Sequence, residues 1–344
     1  MLDVQGRGKT DMSPEHTEYA KNEKQVLVEA RGLHIDFPVK KEMLFAKPKY
    51  LQAVSDVSIQ IHKGETFGLV GESGCGKSTF ANATLGLLKP TSGQMLFDGT
   101  DLNGISLSQK KDLRKRMQKI FQDPGSSLNP RFNVLELIAE PLRIRGGYSL
   151  EEQKKMVAGM LEHVGLNASD LYRYPSDFSG GQQQRIAIAR ALILKPEYLV
   201  CDEPVSALDV SVHAQILNLL MDMQKKMGIT YLFISHNLAV VKKICDRLAI
   251  MYLGKVVEYG DAEKIFANPM HPYTKALISA VLSIDVNSEK KKITLKGDIA
   301  SPIDPPKGCR FCSRCPQAEK ECESIPCELV EMEPDHYVAC RMVV

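Results

Sequence analysis

One stretch limits what this chain can become more than any other: Gly71-Glu72-Ser73-Gly74-Cys75-Gly76-Lys77-Ser78-Thr79. It has the Gly-x-x-x-x-Gly-Lys-Ser form of a phosphate-binding loop. The apolar run Phe67-Gly68-Leu69-Val70 precedes it and reads as a buried strand, and residues 79–88 read as the helix it opens. In that setting Gly71, Gly74 and Gly76 let the backbone curl until successive N–H groups face phosphate oxygens, while the helix N-terminus adds partial positive charge. Lys77 can reach the β- and γ-phosphates, and the Ser78 hydroxyl can ligate Mg²⁺. A surface turn would account for the glycines, but not for lysine and serine in register between a strand and a helix. The stretch predicts a nucleoside triphosphate site.

Length and composition narrow the setting. At 344 residues, with 44% apolar and 25% charged residues, the chain resembles an ordinary globular protein with room for one large domain and an appendage. A net charge of +2 gives no argument for nucleic-acid binding. No apolar run approaches the roughly 18–20 residues of a membrane span, and residues 1–23 are too polar for a signal peptide. A cytosolic chain is expected, with any membrane role supplied by partners. Of nine cysteines, Cys75, Cys201 and Cys245 stand alone and the others crowd into the C-terminal tail; in a reducing compartment that crowding points to metal rather than disulfides.

Residues 1–24 are polar and aperiodic and read as a loose terminus. Strand patterns follow at 26–30, 33–37 and 53–61, with a basic loop at 40–49 between them. Another short strand is expected at 94–98 and a basic helix at 108–118. Leu135, Ile138, Ala139 and Leu142, then Val157, Leu161 and Val164, fall at helical spacing, so residues 130–174 read as an all-helical insertion. Alternation then resumes: helix 182–194, strand 198–201, helix 210–227, strand 230–234. Such alternation predicts a parallel or mixed sheet covered by helices. A small strand pair, a helix at 273–282, a Lys-rich linker at 288–296 and the cysteine-rich tail complete the chain.

The strand at 198–201 runs into Asp202-Glu203, which places two carboxylates at its C-terminal end, where α/β sheets bind ligands. Asp202 can hold the Mg²⁺ water shell, and Glu203 can polarise an attacking water. Ser179-Gly180-Gly181 precedes a helix and offers a second set of exposed N–H groups with a hydroxyl.

Phe178-Ser179-Gly180-Gly181-Gln182 closely resembles the Leu-Ser-Gly-Gly-Gln signature of ATP-binding-cassette ATPases. In the same order, Gln122 resembles that family's Q-loop glutamine, Ser206-Ala207-Leu208-Asp209 its D-loop and His236 its switch histidine. The resemblance implies two cassettes packed head to tail, each signature closing the other's ATP. His236 is then the γ-phosphate sensor, Asp209 shapes the dimer contact, and Gln122 touches Mg²⁺ or water while coupling to the helical insertion. Phe37 sits where the family has its adenine-stacking aromatic, with Phe45 and Tyr50 as rivals.

Three stretches narrow the resemblance. Residues 122–131 are similar to the segment after the Q-loop in peptide-importer ATPases, and His271-Pro272-Tyr273-Thr274 to the motif that opens their C-terminal extension. Residues 308–316 are similar to the cysteine motif of that extension, which implies a 4Fe–4S cluster on Cys309, Cys315, Cys322 and Cys340. Cys312 and Cys327 depart from the pattern and leave zinc as the competing reading.

The expected fold class is α/β: a P-loop ABC nucleotide-binding domain with a RecA-like core, an antiparallel β subdomain and an α-helical subdomain, plus a small cysteine-rich extension. Expected boundaries are 1–24 for the terminus, 25–270 for the ATPase domain with its helical part at about 124–180, and 271–344 for the extension. The resemblance implies an ATPase on the cytoplasmic face of the membrane that powers dipeptide or oligopeptide import. Its implied partners are two membrane permease subunits, a second related ATPase and, indirectly, a solute-binding protein. The same motor could serve nickel or oligosaccharide uptake. A soluble non-transport ATPase is the other class, although this chain has one phosphate loop and no sustained heptads.

Overall fold

The computed structural model describes residues 25–39, 48–282, 293–295, 297 and 300–343. The basic loop at 40–47, with Phe45, lies outside the described residues, as do residues 1–24 and most of the Lys-rich linker.

The strand before the phosphate loop, Thr66–Val70, is buried at every position and lies inside an eight-stranded sheet. Across that sheet the order is Val330–Glu333, His336–Val338, Lys255–Asp261, Arg247–Tyr252, Thr66–Val70, Thr230–Ser235, Tyr198–Asp202 and Met117–Ile120. The last five run parallel, and the first three pair antiparallel. Continuous apolar runs such as Leu199-Val200-Cys201 suit a parallel strand covered on both faces. Side chains alternate between the faces: Tyr198 and Val200 pack with Phe67, Leu69, Phe80 and Phe97 on one side. Leu199 and Cys201 pack with Leu137, Ile138, Ile186 and Ile216 on the other.

A second, antiparallel sheet carries Tyr50–His62, Val26–Pro38, Ser92–Phe97 and Thr100–Asp101 in that order. The two strands expected at 26–30 and 33–37 are one, because Gly32 adopts φ +50° and the register slips on either side of Leu33. The break in the sequence pattern is a bulge rather than a turn. Helices Val134–Arg145 and Leu150–His163 each start on a reciprocal capping box, Asn133 with Glu136 and Ser149 with Glu152.

Two expectations are displaced. The loop helix spans Lys77–Thr84 rather than 79–88, because Gly86 turns to φ +64° and ends it. The basic helix stops at Arg116, and Met117–Ile120 becomes an edge strand parallel to Tyr198–Asp202. Sheet partners far along the chain override local helix preference there.

The tail is attached to the main sheet by the pairing of His336–Val338 with Lys255–Asp261. Glu258, fully buried, accepts from the Met270 and His271 backbone N–H groups at 2.8 and 2.9 Å and pairs with His336 Nε2 at 2.8 Å. His271 is 1% exposed, and its Nδ1 accepts from the Tyr273 N–H at 3.1 Å. Burial pushes its imidazole from 6.5 down to about 4, helped by Lys275 and opposed by Glu258. Between those values the unfolded chain binds a proton that the folded chain does not, so this contribution is complete above 6.5 and is lost as pH falls toward 4. Expected is a loss of about 3 kcal/mol between pH 7 and pH 4 that a His271→Gln variant does not show. Urea midpoints of both proteins across that range check it.

The expectation of metal in the tail is overturned. Among the described residues no group of three or more His, Cys, Asp or Glu is placed to hold a metal ion. Cys309, Cys312, Cys315, Cys322, Cys327 and Cys340 do line one cavity, but its volume is about 10 Å³, room for about one water. Burial pushes the Cys309 thiol up to about 12 and raises Cys312, Cys315 and Cys340. Cys309 and Cys315 pack against the core around Tyr252, Tyr273 and Phe311, and Cys340 packs with Met270 and Val338. Cys309, Cys315 and Cys340 fill space as small apolar side chains, and neither the 4Fe–4S reading of Cys309, Cys315, Cys322 and Cys340 nor the zinc alternative stands.

Candidate functional site

The register of the parallel strands decides what meets at their C-terminal edge. Val70 lies beside Ser235 and Ile250, Asp202 beside Ile234, and Ile120 beside Cys201. The residues just beyond each strand end therefore emerge together: the phosphate loop after Val70, His236 after Ser235, Glu203 after Asp202 and Gln122 two residues after Ile120. This edge is where open α/β sheets bind ligands.

A cavity of about 690 Å³ opens there, lined by Ser73, Gly74, Gly76, Lys77, Ser78 and Thr79 of the loop and by Gln122, Glu203 and His236. Phe37 lines it too, 38% exposed, whereas its rival Tyr50 does not. Gly71, Glu72 and Cys75 form the back of the loop, outside the lining. Lys77 is 6% exposed, and its Nζ donates to the Gly71 and Glu72 carbonyls at 2.7 and 2.9 Å. The ammonium is thus folded onto its own loop, ready to exchange carbonyl partners for phosphate oxygens.

Glu203 is held from both sides. Gln122 Nε2 donates to its Oε2 at 3.1 Å, and His236 Nδ1 lies 3.2 Å from its Oε1. Its backbone takes φ +48°, a costly conformation for a residue with a side chain, which the neighbouring strand helps hold through Glu203 N–H donating to Ile234 O at 3.1 Å. This arrangement aims a carboxylate into the cavity with its two oxygens already oriented, as a group that positions or deprotonates water requires.

Asp202 sits deeper, 8% exposed, with Lys119 Nζ 2.8 Å from its Oδ2 and Ser78 Oγ 3.4 Å from its Oδ1. One hydroxyl and one carboxylate suit Mg²⁺, which keeps several waters and shares its remaining positions with nucleotide phosphates. Gln122, expected against Mg²⁺ or water, here donates its Nε2 hydrogen to Glu203.

The signature stands apart. Ser179 caps helix Gly180–Leu192, accepting from the Gln182 N–H at 3.4 Å while the Gln182 side chain accepts from Ser179 N–H at 3.0 Å. Ser179, Gly180 and Gln182 are exposed, and none of Ser179, Gly180, Gly181, Gln182 and Asp209 lines the cavity. The structure brings together the phosphate loop, Gln122, Glu203 and His236, and leaves the N-terminus of the signature helix facing solvent while the rest of that helix packs into the core.

Sequence reasoning missed Leu51, Gln52, Ala53, Leu253, Gly254 and Pro302, which also line the cavity. Leu253 and Gly254 form a turn with φ +45° and +82°, and the glycine was a visible sign of it. Pro302 arrives from the tail with no local signal.

Two family models match the chain: "ABC transporter" over residues 54–206 and "Oligopeptide/dipeptide transporter, C-terminal region" over residues 257–322. The oligopeptide transport ATP-binding protein OppF of Haemophilus influenzae is 49% identical over 328 residues, 94% of this chain and 99% of that protein. AppF of Bacillus subtilis, also an oligopeptide transport ATP-binding protein, is 46% identical over 92% of this chain and 98% of its own. Among solved structures, a dimeric post-hydrolysis state of the ATP-binding cassette MJ0796 bound to ADP and Pi superposes with a TM-score of 0.61 at 29% identity. It covers 69% of this chain and 99% of that one.

Proposed function

This chain belongs to the ATP-binding-cassette ATPases, among the oligopeptide transport ATP-binding proteins, and from that membership we propose that it powers the import of peptides through membrane permeases. The observation that carries the reading is the Glu203 carboxylate, fixed between Gln122 and His236 above the cavity that the phosphate loop floors. In the proposed cycle the loop N–H groups and Lys77 take the phosphates of ATP, with Phe37 beside the base. Ser78 and Asp202 would hold Mg²⁺, which neutralises phosphate charge when bound. Glu203 orients the attacking water and accepts its proton, while His236 meets the γ-phosphate from the other side of the same carboxylate.

The exposed signature supports a dimer. Ser179 and its helix N-terminus lie outside their own cavity, so they are free to close the cavity of a second cassette, with Asp209 at the contact. We assign that second cassette to a related ATPase chain and the delivery of solute to a separate binding protein. Among the described residues no helix is long and apolar enough to cross a membrane, and we assign the membrane path to separate permease chains.

Their docking place is a groove of about 900 Å³ lined in part by Leu87, Leu107, Phe121, Pro141 and Ile144. Leu107 and Ile144 are 86% and 70% exposed, and Phe121 adjoins Gln122. Lys111, Arg114, Lys115 and Arg145 rim it. An amphipathic helix with acidic ends fits this surface, and it would touch the catalytic edge through Phe121–Gln122. Replacing Ile144 with Asp is expected to weaken permease association about tenfold or more, the effect of losing one buried aliphatic side chain, with ATP binding by the free chain retained. Co-purification with the permeases from membranes checks it.

The whole reading is tested by reconstituting the chain with its permeases, its ATPase partner and its binding protein in vesicles. ATP-dependent uptake of a labelled oligopeptide is expected. Uptake of a nickel chelate or an oligosaccharide in its place would overturn peptide import.

A further inference from the structure

Glu72 occupies a free position of the phosphate-loop pattern, yet the structure ties it down at three points. Its N–H donates to Tyr273 Oη at 3.0 Å, and its carbonyl accepts from Lys77 Nζ at 2.9 Å. Its carboxylate receives Arg314 through two N–H donors, at 2.7 and 3.1 Å. Two of the three partners come from the C-terminal part of the chain, 201 and 242 residues away.

Those partners are themselves rigid. The Arg314 side chain is 9% exposed, with Nη1 3.4 Å from Tyr252 Oη and the guanidinium 5.8 Å from the Tyr252 ring. Tyr252, Tyr273 and Phe311 pack ring to ring, with centroids 4.8, 5.2 and 5.3 Å apart. Tyr273 and Phe311 are fully buried. The same tail reaches the mouth of the cavity: Pro302 lines it and accepts from the Gln52 N–H at 3.1 Å. Arg310, 6% exposed, bonds to the Leu253 carbonyl and the Gln52 side chain, two more lining residues.

We propose that the tail between Pro302 and Arg314 is a positioning part of the nucleotide site, with Arg314 acting through Glu72 to hold the phosphate loop in its phosphate-binding curl. The proposal rests on the reading of this cavity as the ATP site. A loop with three glycines has many conformations to lose on binding, and an external clamp that removes them beforehand appears as affinity. A bidentate arginine–carboxylate pair suits the task because it fixes direction as well as distance. Glu72 also carries the carbonyl on which Lys77 rests, so a shift of Glu72 moves the ammonium that meets the phosphates. Glu72 is 26% exposed at its side chain, so water can replace the arginine, and removing Arg314 loosens the loop without leaving a buried bare charge.

The test uses the full chain, titrated with a fluorescent ATP analogue and followed by steady-state hydrolysis. Arg314→Met is expected to raise the dissociation constant about five- to tenfold, the loss falling mainly on KM rather than kcat. Glu72→Gln should match it, Arg314→Lys should recover part of the affinity, and the double variant should be no weaker than either single one. Thermal unfolding without nucleotide separates a loosened loop from a failed fold, and Glu72→Gln serves if Arg314→Met melts early. Unchanged affinity in both variants, or losses that add in the double variant, overturns the clamp. Wild-type protein that binds no more tightly than Lys77→Ala overturns the ATP site itself, an outcome distinct from tight wild-type binding with no effect at Arg314.

Discussion

Glu203→Gln is expected to lower ATP turnover by about 10²- to 10⁴-fold while ATP still binds. Glutamine keeps the length and shape of the side chain, so the strained backbone at φ +48° and the contact to Ile234 O are undisturbed. It cannot accept a proton from water. Gln122 and His236 now face an amide whose one oxygen can serve only one of them, so a single hydrogen bond is lost at the rim of the cavity. A group that only bound the nucleotide would instead show its loss in affinity, with turnover at saturation preserved. Phosphate release at saturating ATP, measured with analogue binding, separates the two. Turnover within a few-fold of wild type would remove Glu203 from the role of general base. Mixed with the proposed partner ATPase, the variant should also hold the two cassettes closed, visible as an ATP-dependent shift in size on gel filtration.

Gly76→Ala is expected to weaken ATP binding by about 100-fold, whereas Gly74→Ala costs only a few-fold. Both glycines have positive φ, +106° and +77°. The difference lies in what a methyl group meets. At Gly76 a Cβ would fall 2.1 Å from Ala53 O and 2.9 Å from Met251 Cε, so the loop must leave its curl and carry Lys77 with it. At Gly74 nothing lies within 4 Å, and backbone preference is the only cost. Analogue titration of both variants, with melting temperatures as a control, checks the pair. Equal effects would mean that backbone preference, and not the close approach to Ala53, makes glycine necessary.

The contrast between these glycines shows where sequence reading stops. The Gly-x-x-x-x-Gly-Lys-Ser pattern names both as loop glycines and gives no reason to rank them. Ala53, the wall against which Gly76 is pressed, belongs to another sheet. The strand Met117–Ile120 is a similar case. Met117 and Gln118 read as the end of a basic helix, and only the parallel partner Tyr198–Asp202, in place some 80 residues later, makes the stretch extended. The cysteine tail failed for the opposite reason. Spacing alone suggested metal ligands, but spacing does not say how much room the sulfurs leave between them, and here they line a cavity of about 10 Å³ with no group placed to hold a metal among the described residues.

By itself the sequence determined the groups whose chemistry is local: a phosphate loop between strand and helix, an acidic pair at a strand end, a serine–glycine cap opening a helix, and the strand–helix alternation of a parallel sheet. Hydrogen bonds within a few residues and periodic burial govern these features, so a short window contains their cause. Which of them share one cavity was implied in the sequence only by resemblance, and the tertiary structure supplies the physical cause. Strand register aligns Gln122, Glu203 and His236 with the loop and leaves Ser179 outside it. It also decided that Arg314 holds Glu72, a contact across 242 residues that depends on how the tail returns to the sheet. Packing between distant segments is set by shape and burial over the whole chain, and no local pattern records it.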